Sequence, residues 1–355
     1  MVRYALIGYG KVASVHAKAL AEAKQSKLVA VWGRSAEKAA LFAKEWDILP
    51  FTDMQKMIVE AKVDAVIITT PHPVHKENTV EALKAGAHVL VEKPMALTVA
   101  ECQEMIDCAK QENKKLAVIS QRRWLPSTQR IHKAIAEGKL GKPMIGQVTV
   151  LGWRDEAYYN SDPWRGKWDT EGGGILINQA PHQFDLLHWF LGPVKEVYAQ
   201  WDNINHPYIE VEDTAVATVR FESGAMASIL VSNSQKPGIY AKVHVHGSNA
   251  FSLGVQTDGG AMFIAGMSGV TEPPFNDIWT VEGEQGMLEV WKIEDTAFFD
   301  TIDPVLHFFT LQQEDFTQAI LNDTIPASSG EEGMQTVRII EGMYVSGRTG
   351  MPVRY

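Results

Sequence analysis

The chain has 355 residues, more than one domain usually holds, so two domains are expected. Hydrophobic residues at 45% and charged residues at 21% exclude extensive disorder. With 33 Lys and Arg against 43 Asp and Glu, the net charge of -10 leaves no basic surface for a nucleic-acid partner.

In the first third, short apolar runs alternate with amphipathic stretches, the pattern of β-α-β units around a parallel sheet. Strands are predicted at 4–7, 28–32, 65–68, 88–91 and 116–120, with helices between them at 15–23, 36–46, 78–85 and 99–111. Five strands in this alternation make an N-terminal doubly wound domain of Rossmann type over 1–122. The rhythm then changes. A helix is predicted at 130–137, a strand at 147–153, an irregular aromatic-rich stretch to 170, and one apolar helix over 175–191. Strands at 196–200, 214–221, 225–232 and 241–246, joined by Gly, Asn and Ser turns, read as a largely antiparallel open sheet. Helices return at 304–321 and 330–349. Residues 123–355 are therefore expected to form a C-terminal α/β domain.

Cys102 and Cys108 fall in one predicted helix and point to different faces, which argues against a disulfide framework and for a reducing cytoplasm. The opening residues lack a signal-peptide pattern, and no apolar run approaches the ~18 residues of a membrane helix. A cytoplasmic protein with no membrane partner is expected.

The turn Gly8-Tyr9-Gly10-Lys11-Val12-Ala13 follows the first strand and opens the first helix. That is the setting in which a G-x-G-x-x-A turn binds a dinucleotide. Gly8 permits the tight turn, Gly10 lets a pyrophosphate approach the backbone, and Ala13 lets helix and strand pack closely. The backbone at Lys11 and Val12 then faces the phosphates at the helix N-terminus. At the end of the second strand, where an acidic residue would hold the ribose of NAD, the sequence reads Trp32-Gly33-Arg34-Ser35. Gly33 removes the carboxylate, and Arg34 with Ser35 can bind a 2′-phosphate, so NADP is favoured over NAD. A solvent-facing Arg34 beside plain NAD is the other reading.

Further motifs sharpen the assignment. Glu92-Lys93-Pro94 ends the fourth strand, at the carboxyl edge where α/β sheets bind ligands. Gly172-Gly173-Gly174 leads through Asn178-Gln179-Ala180-Pro181-His182 to Asp185. With the glycine turn, Thr70-Pro71, His75, the crossover Gln121-Arg122-Arg123-Trp124 and Gly330-Glu331-Glu332-Gly333, these resemble the glucose–fructose oxidoreductase / inositol dehydrogenase / rhizopine catabolism (Gfo/Idh/MocA) family over almost the whole chain. The resemblance implies a nicotinamide-dependent oxidoreductase of sugars, sugar derivatives or cyclitols, whose C-terminal sheet lines the substrate site and often the oligomer interface. A homodimer or homotetramer is expected on that ground. It also implies that Lys93, His182 and Asn178 form the catalytic set, and that Glu92 holds a cofactor ribose with Thr70, Pro71, His75 and Gln121 nearby. Arg123, Trp164 and Arg165 would then wall the substrate pocket.

The chemistry explains these residue types. Hydride leaves a carbinol carbon as its hydroxyl proton is removed, and imidazole titrates near the working pH. A lysine beside the same oxygen stabilises alkoxide character. Many members carry Asp four residues before the histidine; here Asn178 stands there, able to bind the ring or a substrate hydroxyl but not to offset imidazolium charge. Asp185 either orients His182 or satisfies another side chain. Tyr158, Tyr159, Trp164 and Trp168 beside Arg154 and Arg165 read either as a sugar-stacking wall or as ordinary packing. The pairs His72/His75 and His244/His246 lack further ligands, so no metal is expected. The leading reading is an NAD(P)-dependent dehydrogenase or reductase of a sugar, glycoside or cyclitol. Its rivals are a ketosugar or dicarbonyl reductase using NADPH, and a non-catalytic sugar sensor.

Overall fold

The computed structural model describes residues 1–257 and 272–355. The chain opens with β1 (Val2–Ile7), α1 (Lys11–Glu22), β2 (Ser26–Trp32), α2 (Ala36–Trp46), β3 (Leu49–Phe51) and α3 (Met54–Glu60). It continues with β4 (Ala65–Ile68), α4 (His75–Lys84), β5 (His88–Val91), α5 (Val99–Gln111) and β6 (Leu116–Val118). The strands form one six-stranded parallel sheet in the order β3-β2-β1-β4-β5-β6, a doubly wound Rossmann sheet. Five strands were expected; β3 is the addition, a three-residue edge strand carrying Pro50, and proline is tolerated at a sheet edge. Alternation within each strand serves both faces. Ala5 and Ile7 join the core under α3, α4 and α5, while Tyr4 and Leu6 join the core under α1 and α2.

The second run comprises α6 (Pro126–Ala136), β7 (Pro143–Leu151), the short helices α7 (Glu156–Asn160), α8 (Trp168–Glu171) and α9 (Ile175–Asn178), then α10 (Pro181–Leu191). The strands β8 (Val194–Asp202), β9 (Thr214–Phe221), β10 (Met226–Ser232), β11 (Tyr240–Gly247), β12 (Ser252–Gln256) and β13 (Phe275–Trp279) follow, with α11 (Met287–Phe299), α12 (Leu306–Leu321), α13 (Gly330–Thr349) and β14 (Val353–Arg354) closing the chain. The second sheet runs β13-β12-β11-β7-β10-β9-β8-β14. It is antiparallel except where β7 meets β10. Its strands alternate buried and exposed residues, as expected of a sheet covered on one face, where α10 lies on β7 and β11.

Two compact units result: Met1–Gln121 with Leu306–Val337, and Arg122–Val305 with Arg338–Tyr355. The expected single division, with 123–355 as one unbroken domain, therefore does not describe the chain. The reason is apolar. Phe309 and Phe316 of α12 complete the core that contains Tyr4 and Leu6, and the Tyr4 hydroxyl lies 2.8 Å from Thr317 Oγ1. Among the described residues no helix is long and apolar enough to cross a membrane.

Candidate active site

In the first unit the site is built where the parallel strands end. Gly8 follows β1 with φ +110, a conformation that favours glycine, and a Cβ there would stand 2.9 Å from Thr69 Oγ1. Gly10 begins α1 with no side-chain cap, and a Cβ on it would meet nothing within 4 Å. The backbone there is open to a large anion. After β6, the Gln121 side-chain oxygen is buried with no hydrogen-bond partner. These features fit a dinucleotide.

The end of β2 differs from expectation. A Cβ on Gly33 would stand 2.0 Å from Tyr9 Cε1, so the ring of Tyr9 fills the place an acidic side chain would take. Ser35 N–H donates to the Tyr9 hydroxyl at 3.4 Å, and Ser35 Oγ caps α2 by accepting from Lys38 N–H at 3.3 Å. Arg34 is exposed.

His75, expected beside the cofactor, is a strut. It is fully buried, with Nδ1 2.8 Å from the Pro94 carbonyl and Nε2 2.8 Å from that of Thr70, so it ties the ends of β4 and β5 together. Burial lowers its pKa. Asn78 donates to Thr70 Oγ1 at 2.9 Å from the same helix. Glu92, expected to hold a ribose, turns inward instead: Oε1 lies 2.9 Å from His16 Nε2, and Oε2 accepts from Lys93 N–H at 3.0 Å. Lys93 is left half-buried between buried Glu92 and Pro94.

In the second unit, Gly173 and Gly174 answer to packing. A Cβ on Gly173 would reach 1.9 Å from the Tyr344 hydroxyl, and one on Gly174 would reach 1.9 Å from the Glu212 carbonyl. Buried Glu212 then organises the turn. Its carboxylate accepts from Gly174 N–H at 2.9 Å, Leu176 N–H at 3.0 Å and the Tyr344 hydroxyl at 2.9 Å. Burial nevertheless pushes its pKa up to about 7.

The single helix expected over 175–191 is two, because Pro181 has no N–H to continue α9 and instead starts α10. Ala180 N–H reaches back five residues to the Ile175 carbonyl at 3.0 Å, one more than an α-helical turn spans. Asn178 donates to the Glu171 carboxylate and, at 3.5 Å, to the Tyr158 hydroxyl; Gln179 Nε2 donates to the same hydroxyl at 3.2 Å. Arg165 donates to it at 2.5 Å, with its guanidinium 4.3 Å from the Tyr158 ring and 4.4 Å from that of Trp164. Tyr158 thus gathers Trp164, Arg165 and Asn178 into one cluster. Burial raises its pKa.

Every residue of α10 is buried except His182 and Trp189. Arg123, expected in the substrate cleft, is instead 2% exposed and bound to Asp185 through Nε at 2.9 Å and a terminal nitrogen at 2.7 Å, with Trp189 against its guanidinium. Burial alone would raise the Asp185 carboxyl, but Arg123 and His188 hold it well below the usual range. Asp185 satisfies another side chain, the second of its two readings. Among the described residues no cluster of three or more His, Cys, Asp or Glu forms a metal site. His16 and Glu212 escape the sequence because their partners lie far away in the chain, whereas Glu171, bound to Gly166 and Asn178 within seven residues, sits in an irregular stretch with no periodic pattern.

Residues 2–120 match the oxidoreductase family with the NAD-binding Rossmann fold, and residues 128–251 match the GFO/IDH/MocA C-terminal domain. The chain is 30% identical to the 1,5-anhydro-D-fructose reductase of Ensifer adhaerens over 232 residues, 64% of this chain and 68% of that protein. It is 30% identical to the D-glucoside 3-dehydrogenase of Escherichia coli strain K12 over 251 residues, 63% of this chain and 68% of that protein. The WlbA dehydrogenase of Bordetella pertussis, solved in complex with NADH and UDP-GlcNAcA, superposes with a TM-score of 0.85 at 27% identity, covering 100% of this chain and 97% of that one.

Proposed function

The chain belongs to the Gfo/Idh/MocA family of oxidoreductases with an NAD-binding Rossmann fold, and from that membership we propose that it oxidises a secondary alcohol, or reduces the matching ketone, of a sugar, glycoside or cyclitol. One observation carries the reading: Lys93 and His182 are half-buried titratable side chains on otherwise buried segments, the turn that follows β5 and the first turn of α10. A bound nicotinamide supplies the hydride acceptor or donor. His182 takes the hydroxyl proton in oxidation and returns it in reduction. Lys93 stabilises charge on the reacting oxygen. Asn178, held by Glu171 and Tyr158, offers its amide to a substrate hydroxyl, and Trp164 and Arg165 wall the sugar. The relatives are named as a reductase and dehydrogenases, which gives the sensor reading no support.

At the adenosine end, the exposed guanidinium of Arg34 supports a contact with a 2′-phosphate, and NADP is bound in preference to NAD. Copies of the chain associate through the open face of the second sheet, in the cytoplasm, where the buried thiols of Cys102 and Cys108 stay reduced. The test is turnover. Purified protein given NADP or NAD and a panel of sugars, glycosides and cyclitols is expected to change reduced-cofactor absorbance with at least one. Lys93→Ala and His182→Ala are each expected to lose at least ~100-fold in kcat while keeping the dinucleotide dissociation constant. Near wild-type kcat in either variant removes that residue from the chemistry.

A further inference from the structure

We propose that His16, keyed by Gln313, is a positioning residue for Lys93 and acts through the carboxylate of Glu92. The role rests on the reading of Lys93 given above; the geometry stands without it. His16 lies on α1, Glu92 directly follows β5, and Gln313 lies on α12, 297 residues beyond His16 in sequence. His16 and Gln313 are 0% exposed and Glu92 is 9%.

The direction of each hydrogen bond follows from donor chemistry. Gln313 Nε2 lies 2.9 Å from His16 Nδ1 and 3.5 Å from the His16 carbonyl oxygen. A carbonyl oxygen only accepts, so the end of Gln313 that faces it is the NH2 group, and that group only donates. Nδ1 is therefore the acceptor and Nε2 carries the hydrogen. Nε2–H donates to Glu92 Oε1 at 2.9 Å, while Glu92 Oε2 accepts from the backbone N–H of Lys93 at 3.0 Å. The edge-on ring of Phe309, 4.9 Å from the imidazole, packs against it.

A carboxylate this deeply buried is costly unless its oxygens are partnered. Burial pushes the Glu92 carboxyl upward, yet the hydrogen bond and electrostatic pull of His16, followed by the charge and backbone N–H of Lys93, hold it below its ordinary range. The result is a fixed negative charge next to Lys93 that also pins the lysine's own backbone. Gln313 decides which ring nitrogen carries the hydrogen, and so whether His16 can donate to Glu92.

Gln313→Met keeps the volume and removes the donor. Its kcat is expected to fall about tenfold or more, with the dinucleotide dissociation constant changed by less than about twofold. In a Lys93→Ala background the same substitution is expected to have no further effect, because both act on one group. Imidazole 15N spectra of the full-length protein without cofactor give a second readout. Wild type should show His16 as the Nε2–H tautomer, and Gln313→Met a mixture. Gln313→Glu, which can only accept, should show a ring protonated on both nitrogens. A wild-type His16 bearing its hydrogen on Nδ1 overturns the geometry. Full kcat in Gln313→Met, with Lys93→Ala inactive, overturns the role and leaves the lysine reading standing. Full kcat in Lys93→Ala overturns that reading and the role with it.

Discussion

Glu212 joins acid–base chemistry to the shape of the turn that leads to His182. Its carboxyl is raised by burial from 4.5 to about 7, so folding favours its protonated form. For a raised acid, the stability contribution is full below the unfolded value and is lost as pH rises through the folded one. The second unit should therefore weaken between about pH 5 and pH 8, by roughly 3 kcal/mol from this group. Glu212→Gln imitates the protonated acid and should flatten that part of the profile. Denaturant melts of wild type and variant at several pH values check this. Parallel profiles across the window would mean that Glu212 is not the group that titrates. None of this is legible in Glu212-Asp213, an ordinary acidic pair before a strand. The glycine triplet is visible in the sequence, but its reasons are Tyr344 and the Glu212 carbonyl, far along the chain. Gly33 is similar: read alone it is a missing carboxylate, whereas in the fold it makes room for Tyr9.

Elements with strong periodicity were legible almost to the residue. The bounds of α2, α5, β4, β5, β9 and α13 match their predicted spans, since each pairs a clear apolar pattern with a clear stop. Apart from α11, a helix of 13 residues with no predicted counterpart, what escaped was short or depended on contacts. β3 has three residues, and α9 separates from α10 only because Pro181 cannot extend the preceding turn. The placement of α12 is the largest departure, since nothing local says that a helix after residue 305 packs beneath the first strand. It leads to a prediction. Burying Phe309 and Phe316 contributes about 1.5–3 kcal/mol each, a large share of the roughly 5–15 kcal/mol that holds a typical domain together. A fragment of residues 1–122, the domain as read from sequence, should therefore be unstable or aggregate when expressed alone. Adding residues 306–337 through a linker should restore a cooperative melt and dinucleotide binding. A stable, cooperative 1–122 fragment would show that α12 is an accessory rather than part of that core.

At the scale of the whole molecule, the proposed association between copies of the chain falls to the open sheet face of the second unit. Along β7, β8, β9 and β10 the residues on that face include Ile145, Tyr198, Val216, Met226 and Leu230, each at least 40% exposed. Register makes them neighbours: Val216 sits opposite Leu230, and Met226 beside Ile145. The opposite face of the same strands is buried and apolar, at Val148, Val219, Ile229 and Val231. A solvated antiparallel sheet would carry polar side chains where these strands carry Val, Leu, Met and Tyr. A face-to-face two-fold pairing buries one such patch against its copy, the commonest way for identical chains to associate. Wild-type protein at micromolar concentration is therefore expected to have the mass of a dimer or tetramer by light scattering. The double variant Val216→Glu, Leu230→Glu sets carboxylates from both copies into that contact and should give monomers. Dinucleotide affinity should be unchanged, because the glycine turn belongs to the other unit. A monomeric wild type, or a double variant with undiminished mass, would place the contact elsewhere and leave this sheet face to another role.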